Sequence, residues 1–333
     1  MKTTVLLVNL GTPQKPEVKY VRKFLREFLN DKHVINIPVV FRWLLTNIII
    51  APFRAPKTTL LYKKIWTTEG SPLLVHSQRL HTKLQNILCN EYTVHLGMRY
   101  QEPNLKNIMN RIQNETCKRL IIIPLFPQYS SATTGSVIDR VLKIISQWTT
   151  VPEIRIVKQF YDNPLFIKAF AERINSYHPE NYDHILFSFH GLPLSQVNNS
   201  HNGKPCSEFN CSESVTEKNK YCYQATSFAT ARELAKQFRL SEDKYTICFQ
   251  SRFSKNWLTP FTDEVIREKA KAGIKKILVV SPSFVADCIE TIEEIQSRYR
   301  ALFISCGGHE LQLVESLNDS DTWTQCLKEI VIM

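Results

Sequence analysis

Short, continuously apolar runs alternate along the chain with segments of helical periodicity. VLLV at 5–8 and LIIIPL at 120–125 are apolar at nearly every position and end in turn residues. Runs without polar alternation predict strands buried on both faces, as in parallel sheets covered by helices. We predict strands at 5–10, 92–96, 120–125, 184–189, 245–249 and 276–280. We predict helices at 18–29, 104–113, 136–145, 227–238, 262–272 and 287–298.

The second half of the chain repeats the order of the first. VLLVNLGTP corresponds to ILFSFHGLP, and IIIPLFPQYSSATTGSVIDR corresponds to ILVVSPSFVADCIETIEE. The fold class we predict is therefore α/β, with two similar doubly wound, Rossmann-like parallel-sheet domains. We place the domains at 1–150 and 151–310, with a polar insertion at 198–223 and a helical extension at 311–333. Ligands are expected at the carboxyl ends of the strands, in a cleft between the two domains.

Composition narrows the class of protein. The chain has 333 residues, 43% of them hydrophobic and 22% charged, which excludes a disordered chain. The net charge of +11 favours an anionic partner, but no nucleic-acid-binding motif is present. The amino end lacks the apolar stretch of a signal peptide, so we expect a cytoplasmic protein. The apolar segment at 34–55 is interrupted by Arg42 and two prolines, so we do not expect it to span a bilayer. It either contacts a membrane surface or packs as ordinary core.

Polar residues at the predicted strand ends are the candidates for chemistry. His190 follows a buried strand, where an imidazole serves as a general base, a metal ligand or simply a turn cap. Asp287, Glu290 and Glu294 are spaced to share one helix face. Such a row of carboxylates either binds a cation and accepts protons or is simply the solvent-exposed face of a helix.

Other strand ends carry groups suited to anions. The segment at 128–136 (QYSSATTGS) is dense in hydroxyls, which suits either anion binding or N-capping. Arg99, Tyr100 and Arg252 are candidates to clamp carboxylates. No glycine-rich nucleotide-binding motif is present in the sequence, so nucleotide phosphates are not indicated.

Three of the nine cysteines, Cys206, Cys211 and Cys222, fall in the insertion. Iron–sulfur and zinc sites usually require four ligands. Ser212 and Thr226 occupy nearby positions where a fourth ligand would be expected. A bound metal therefore remains one of two alternatives, the other being reduced structural thiols.

Taken together, the motifs resemble those of the ferrochelatase family over nearly the whole length. They are VNLGTP at 8–13, YKKIWTTEGSPL at 62–73, GMRYQEP at 97–103, PLFPQYSSATTGS at 124–136, FSFHGLP at 187–193, QSRFSKNWLTP at 250–260, SPSFVADCIETIEEI at 281–295 and SLNDSDTW at 316–323. The resemblance implies the chelatase fold and a lyase that inserts Fe²⁺ into protoporphyrin IX. This reaction gives protohaem and two protons, as the last step of haem biosynthesis.

The resemblance also implies roles for residues. His190 and Glu290 correspond to the reactive pair, facing each other across the macrocycle. Asp287 and Glu294 are outer carboxylates that join them as metal ligands. The resemblance further implies porphyrin contacts from Trp257 and the segment at 34–55, and contacts to the propionates or the cleft wall from Arg99, Tyr100 and Ser130.

The sequence departs from its relatives at several positions. Animal-type members carry histidine where this chain has Cys288. Members that use coproporphyrin carry tyrosine at the position of Leu10, so leucine there favours protoporphyrin. Some bacterial relatives hold a [2Fe–2S] cluster through four cysteines in the insertion, and only Cys206, Cys211 and Cys222 remain here.

Three functions stay open on the sequence. The first is protoporphyrin ferrochelatase, with Fe²⁺ and porphyrin as partners, peripheral membrane contact, and a monomeric or homodimeric state. The second is a chelatase for coproporphyrin or another tetrapyrrole. The third is a non-catalytic haem carrier, in which the row of carboxylates would have no purpose.

Overall fold

The structure is a computed structural model that describes residues 2–115 and 117–333, apart from the side chain of Lys2. The chain divides into two compact units. Unit 1 comprises Met1–Phe126, Ser131–Gln159 and Thr324–Met333, and unit 2 comprises Pro127–Ser130 and Phe160–Trp323.

Unit 1 contains a parallel sheet with the strand order β2-β1-β3-β4. Its strands are β1 (Lys2–Gly11), β2 (Tyr92–Tyr100), β3 (Cys117–Pro124) and β4 (Glu153–Ile156). Its helices are α1 (Val18–Leu29), α2 (Val39–Leu44), α3 (Ala51–Ile65), α4 (Pro72–Leu88), α5 (Leu105–Asn114) and α6 (Ser136–Ile145). Two π-helical segments, Leu45–Ile50 and Ser131–Gly135, precede α3 and α6, and a short 3₁₀ turn spans Cys89–Glu91.

Unit 2 contains a second parallel sheet, with the order β6-β5-β7-β8. Its strands are β5 (His184–His190), β6 (Tyr245–Gln250), β7 (Lys276–Val280) and β8 (Glu310–Leu313). Its helices are α7 (Pro164–Asn175), α8 (Leu194–Asn198), α9 (Tyr223–Gln237), α10 (Thr262–Lys271), α11 (Arg300–Ser305) and the first residues of α12 (Asp321–Ile332). A ten-residue π-helix spans Glu290–Tyr299, and 3₁₀ turns span Pro179–Asn181, Asn199–His201, Cys206–Phe209 and Glu242–Lys244.

The central strands are buried as their composition predicts. Val5–Val8 of β1 and Leu120–Ile123 of β3 are fully buried. Leu6 and Val8 pack in one core cluster with Met109 of α5 and Val141 of α6. Because apolar side chains leave both faces of each central strand, helices on both faces are needed to exclude water.

The two sheets share one topology, in which the first strand of each unit pairs with the second and third, and the fourth lies at the edge. This confirms the prediction of two similar doubly wound units and explains the repeated sequence pattern. Parallel strands also bring their carboxyl ends to one edge of each sheet.

The chain divides near residue 160, beyond the predicted boundary at 150, because β4 (Glu153–Ile156) pairs with β3. Residues Thr324–Met333 group with unit 1, where the Arg155 guanidinium donates to the Val331 carbonyl at 3.3 Å. The edge strands β4 and β8 are short and only partly buried, and the sequence pattern missed both. Within the described ranges, no helix is both long enough and apolar enough to cross a membrane.

Candidate active site

His190 is the last residue of β5, and its backbone is held on both sides. The His190 amide donates to the Ser283 hydroxyl at 3.2 Å. The Tyr223 hydroxyl donates to the His190 carbonyl at 2.9 Å. These contacts fix the direction in which the imidazole leaves the strand.

A single hydrogen bond sets the tautomer of His190. Its Nδ1 lies 2.6 Å from the Gly191 carbonyl oxygen. A carbonyl only accepts hydrogen bonds, so Nδ1 carries the proton. In the neutral ring, Nε2 therefore holds the lone pair, which is the atom needed by a general base or a metal ligand.

The turn after His190 depends on glycine at position 191. The Gly191 amide donates to the Gln250 carbonyl at 2.8 Å. A Cβ at Gly191 would lie 2.7 Å from that oxygen and 3.3 Å from the Trp257 ring. Trp257 is thus packed directly beside the His190 turn, and larger residues at 191 would displace the strand ends.

Glu290 begins the π-helix and interacts electrostatically with His190. The Gln250 side-chain amide donates to the Glu290 carbonyl at 2.9 Å. Burial raises the pKa of Glu290; the charge of His190 opposes that rise, and Glu294 adds to it. A carboxyl with a raised pKa exchanges protons more readily near neutral pH than an ordinary glutamate does.

Glu294 lies one helical turn further on and is held by several donors. Ser251 donates through both its amide, at 3.1 Å, and its hydroxyl. The Tyr299 hydroxyl and the Arg298 guanidinium each approach at 2.9 Å. With so many donors the Glu294 carboxylate is held in one position.

Asp287 does not join this helical row, so that prediction is wrong. It precedes the π-helix, and its carboxylate accepts from the Thr291 hydroxyl at 3.0 Å, the Ser316 amide at 3.2 Å and the Asn318 amide group at 2.8 Å. Its side chain is committed to fastening residues 316–318 to the start of the helix. The prediction that Asp287 binds metal gains no geometric support.

In unit 1, Arg99 and Tyr100 belong to a buried polar network around Asp31. The Asp31 carboxylate accepts hydrogen bonds from Arg99, from the Tyr100 hydroxyl at 2.9 Å and from the Ser136 hydroxyl at 2.5 Å. Arg99 also donates to Ser136 at 2.7 Å. Burial alone would raise the pKa of Asp31, but these donors and the His33 amide hold it below its ordinary value.

The hydroxyl-rich segment is largely buried. Ser130 and Thr134 are buried, and the Ser136 hydroxyl is used by Asp31 and Arg99. Gln128 donates to the Thr230 hydroxyl of α9 at 3.0 Å within unit 2. Leu10 is half-buried at the end of β1. The substrate-contact roles of Leu10, Arg99, Tyr100, Ser130 and Trp257 stay predictions.

The three cysteines of the insertion lie together with a histidine. The ligand atoms of His201, Cys206, Cys211 and Cys222 are all within 4.8 Å of one another. His201 was missed by the sequence analysis, although it lies at the start of the same polar insertion. The insertion thus presents four metal-binding side chains instead of three.

Comparisons with known proteins agree on one family. A family model described as Ferrochelatase matches residues 2–333. The chain belongs to the ferrochelatase family. A ferrochelatase of Legionella pneumophila (strain Lens) is 42% identical over 99% of both chains. A ferrochelatase of Coxiella burnetii (strain Dugway 5J108-111) is 38% identical over 99% of this chain and 93% of its own length.

Solved structures extend the likeness to the fold. SirB from Bacillus subtilis with Fe³⁺ matches with a TM-score of 0.55 at 12% identity, covering 100% of this chain and 95% of that one. DR2241 from Deinococcus radiodurans, a multi-domain protein with structural similarity to chelatases, matches with a TM-score of 0.52 at 11% identity, over 98% of this chain and 54% of its own. Both support the predicted chelatase fold. Ferrochelatases are lyases that insert metal into porphyrin, and the protein is an enzyme of this class.

Several residues that shape this ferrochelatase site were not singled out from the sequence. Ser283 and Tyr223 hydrogen-bond to the backbone of His190. Gln250 hydrogen-bonds to the backbone of Glu290 and to the carboxylate of Glu294. Gln250 is the last residue of β6 and Ser283 follows β7 closely, so strand-end position was the available signal. No such signal marked Tyr223, because it lies at the end of the insertion, where α9 begins.

We expect Asp31→Asn to destabilise the protein by about 3 kcal/mol at pH 7, because it leaves Arg99 without its buried anion. The pKa of Asp31 is lowered in the folded state, so the carboxylate's contribution is present above the unfolded pKa of about 4 and is lost as the pH falls through the folded pKa. Urea unfolding of both proteins from pH 7 down to about pH 2 spans the loss of this contribution and measures it. The exposed Glu91→Gln is the control, and equal stability of Asp31→Asn and wild type at pH 7 would contradict the assignment.

Proposed function

We propose that the protein inserts Fe²⁺ into protoporphyrin IX, forming protohaem and releasing two protons, and that His190 and Glu290 carry the reaction. The main support is the pair itself. The tautomer of His190 leaves Nε2 free, and the neighbouring Glu290 has a raised pKa because its carboxyl is desolvated. A proton acceptor and a carboxyl suited to proton exchange thus interact electrostatically.

The chemistry requires two pyrrole N–H bonds to break as two Fe–N bonds replace them. We propose that Nε2 of His190 accepts one proton from the macrocycle and touches the metal transiently. Glu290 accepts the other proton and passes it to solvent. Bending of the bound porphyrin would expose its nitrogen lone pairs, with binding energy supplying the distortion.

Glu294 has a different role in this proposal. Its donors hold its carboxylate in place, and its charge contributes to the raised pKa of Glu290. Glu294 therefore tunes Glu290 and attracts the incoming cation. Asp287 we assign to holding the helix start. Trp257 beside the His190 turn and Ser130 remain proposed porphyrin contacts, as do Leu10, Arg99 and Tyr100 of unit 1.

We expect Glu290→Gln to reduce kcat for haem formation about 100-fold or more while leaving haem binding within a few-fold, because only proton exchange is lost. His190→Ala should have an effect at least as large. Anaerobic assays with Fe²⁺ and protoporphyrin IX, followed by visible absorption, measure turnover, and haem titration measures binding. The exposed Glu242→Gln serves as the matched control. Equal loss of binding and turnover would count against the assignment, whereas tight haem binding without turnover in the wild type would favour a haem carrier.

The choice of porphyrin rests on Leu10. We expect the wild-type protein to convert protoporphyrin IX faster than coproporphyrin III, because leucine at the β1 end offers apolar contact without a hydroxyl. Leu10→Tyr should lower kcat/KM for protoporphyrin several-fold. The ratio of kcat/KM for protoporphyrin to that for coproporphyrin should therefore fall. Parallel assays with both porphyrins give the ratio. Faster wild-type turnover of coproporphyrin would overturn the substrate assignment.

We also propose that the helical segment at 39–60 contacts an anionic membrane surface from its cytoplasmic side. Its exposed apolar side chains are Val39, Val40, Phe41, Trp43, Leu44, Ile48, Ile49, Phe53 and Leu60. Residues 32–68 include six Lys or Arg and no Asp or Glu. A surface with exposed apolar side chains, whose charged side chains are all basic, suits contact with a layer of acidic lipids. The haem product also partitions into such a layer.

We expect the protein to co-sediment with vesicles that contain phosphatidylglycerol and to bind neutral vesicles more weakly. The double variant Phe41→Ser, Trp43→Ser should lose about 10-fold or more in vesicle affinity, because two exposed aromatic side chains no longer insert. Val151→Ser, an exposed apolar residue of unit 1 outside the segment, is the control. Vesicle affinity unchanged by the double variant would exclude this surface.

A further inference from the structure

The insertion folds around its four metal-binding side chains. His201 and Cys211 are joined by a 3.3 Å contact between Nε2 and Sγ, and Cys206 and Cys222 by a 3.5 Å contact between their sulfurs. His201, Cys211 and Cys222 are buried, and Cys206 is partly exposed. Thus the two pairs converge on one small volume.

The spacing matches one tetrahedral ion. With Zn–S bonds of about 2.3 Å, tetrahedral geometry places sulfur ligands about 3.8 Å apart, and a nitrogen ligand slightly closer. The four ligand atoms here all lie within 4.8 Å of one another. No ligand has to move far to reach a common centre.

A four-cysteine [2Fe–2S] cluster fits these residues poorly. Such a cluster needs two ligand pairs, one on each iron, with the pairs held farther apart than the two ligands of one iron. Here the ligand atoms of both pairs lie within 4.8 Å of one another, and one of the four side chains is an imidazole. The residues present therefore do not match the cluster that the family resemblance suggests.

Surrounding groups hold the ligands in place. The buried Asn219 side chain donates to the Phe209 carbonyl at 3.1 Å and the Ser214 carbonyl at 2.9 Å, and approaches the Cys211 sulfur at 3.7 Å. The His201 ring stacks on Phe209 with centroids 4.2 Å apart. Cys222 occupies the N-cap position of α9, so its place is fixed by the start of that helix. These contacts restrict the positions of Cys211 and His201.

We propose that His201, Cys206, Cys211 and Cys222 bind one Zn²⁺ ion in a closed Cys₃His site that fastens the insertion to α9. Binding releases the three thiol protons and leaves no open position on the metal. Cys222 adjoins Tyr223, whose hydroxyl holds the His190 carbonyl. The ion thereby anchors the residue that positions the reactive histidine.

The test begins with metal analysis of the full chain, expressed with both zinc and iron supplied and purified anaerobically. We expect one zinc per chain and no inorganic sulfide. After removal of the metal, Co²⁺ should bind with the intense visible bands of a tetrahedral ion and with sulfur-to-cobalt charge transfer. These spectra do not depend on porphyrin turnover, so they stand or fall separately from the proposed activity.

Variants identify the fourth ligand. His201→Ala should weaken zinc binding more than about 100-fold, because a direct ligand contributes more than a supporting residue. His201→Cys should retain zinc and the fold, since Cys₄ is an equally common zinc site. The exposed His178→Ala and Cys89→Ser are the controls.

Three results would overturn the proposal. Two irons with inorganic sulfide per chain would mean a cluster instead of zinc. Failure of the metal-free protein to bind either Zn²⁺ or Co²⁺ would mean that the four side chains form no metal site. Full zinc affinity in His201→Ala would exclude histidine as a ligand.

Discussion

The close approach of two strand ends in unit 2 is the constraint on which the candidate site depends. The Gly191 amide meets the Gln250 carbonyl at 2.8 Å, and there is no room for a Cβ between them. The Gln250 side chain then reaches in two directions: it accepts from Ser188 at 2.9 Å and donates to the Glu290 carbonyl at 2.9 Å. One residue thus ties β5, β6 and the π-helix together. The positions of His190 and Glu290 follow from this junction.

The same few residues show how surroundings assign different roles to similar groups. Glu294 and Asp287 are surrounded by donors, which fix the geometry of both carboxylates. Glu290 is desolvated, and its pKa is raised. Carboxyls whose environments differ in this way divide into charge carriers and proton carriers. In the proposed mechanism, Glu290 is the proton carrier, so Asp287, Glu290 and Glu294 are not equivalent ligands.

Much of the fold was predictable, because buried parallel strands have an unmistakable apolar pattern. β7 and the helices α1 and α6 were predicted to the residue, and the shared topology follows from the repeated motifs. The edge strands β4 and β8 were missed because they are short and partly solvated. Asp287 was wrongly assigned to the helix because its spacing from Glu290 also fits a helix. In the structure, hydrogen bonds to residues 316–318 hold it before the helix begins. His201 was missed because sequence spacing between cysteines says nothing about which other ligand folds back onto them.

A metal in the insertion and a metal in the reaction place opposite demands on the chain. Substrate iron must enter, lose water and leave within the porphyrin, so its protein partners must offer lone pairs without enclosing it. His190 and Glu290, with one free nitrogen and one exchangeable carboxyl, meet that demand. In the proposed zinc site, the four side chains around Cys222 meet the reverse one, because four protein ligands leave no vacant position on a tetrahedral ion. An ion held in this way stays in place through the reaction, and Tyr223, which follows Cys222 and hydrogen-bonds to the His190 carbonyl, links it to the reactive histidine of the proposed mechanism.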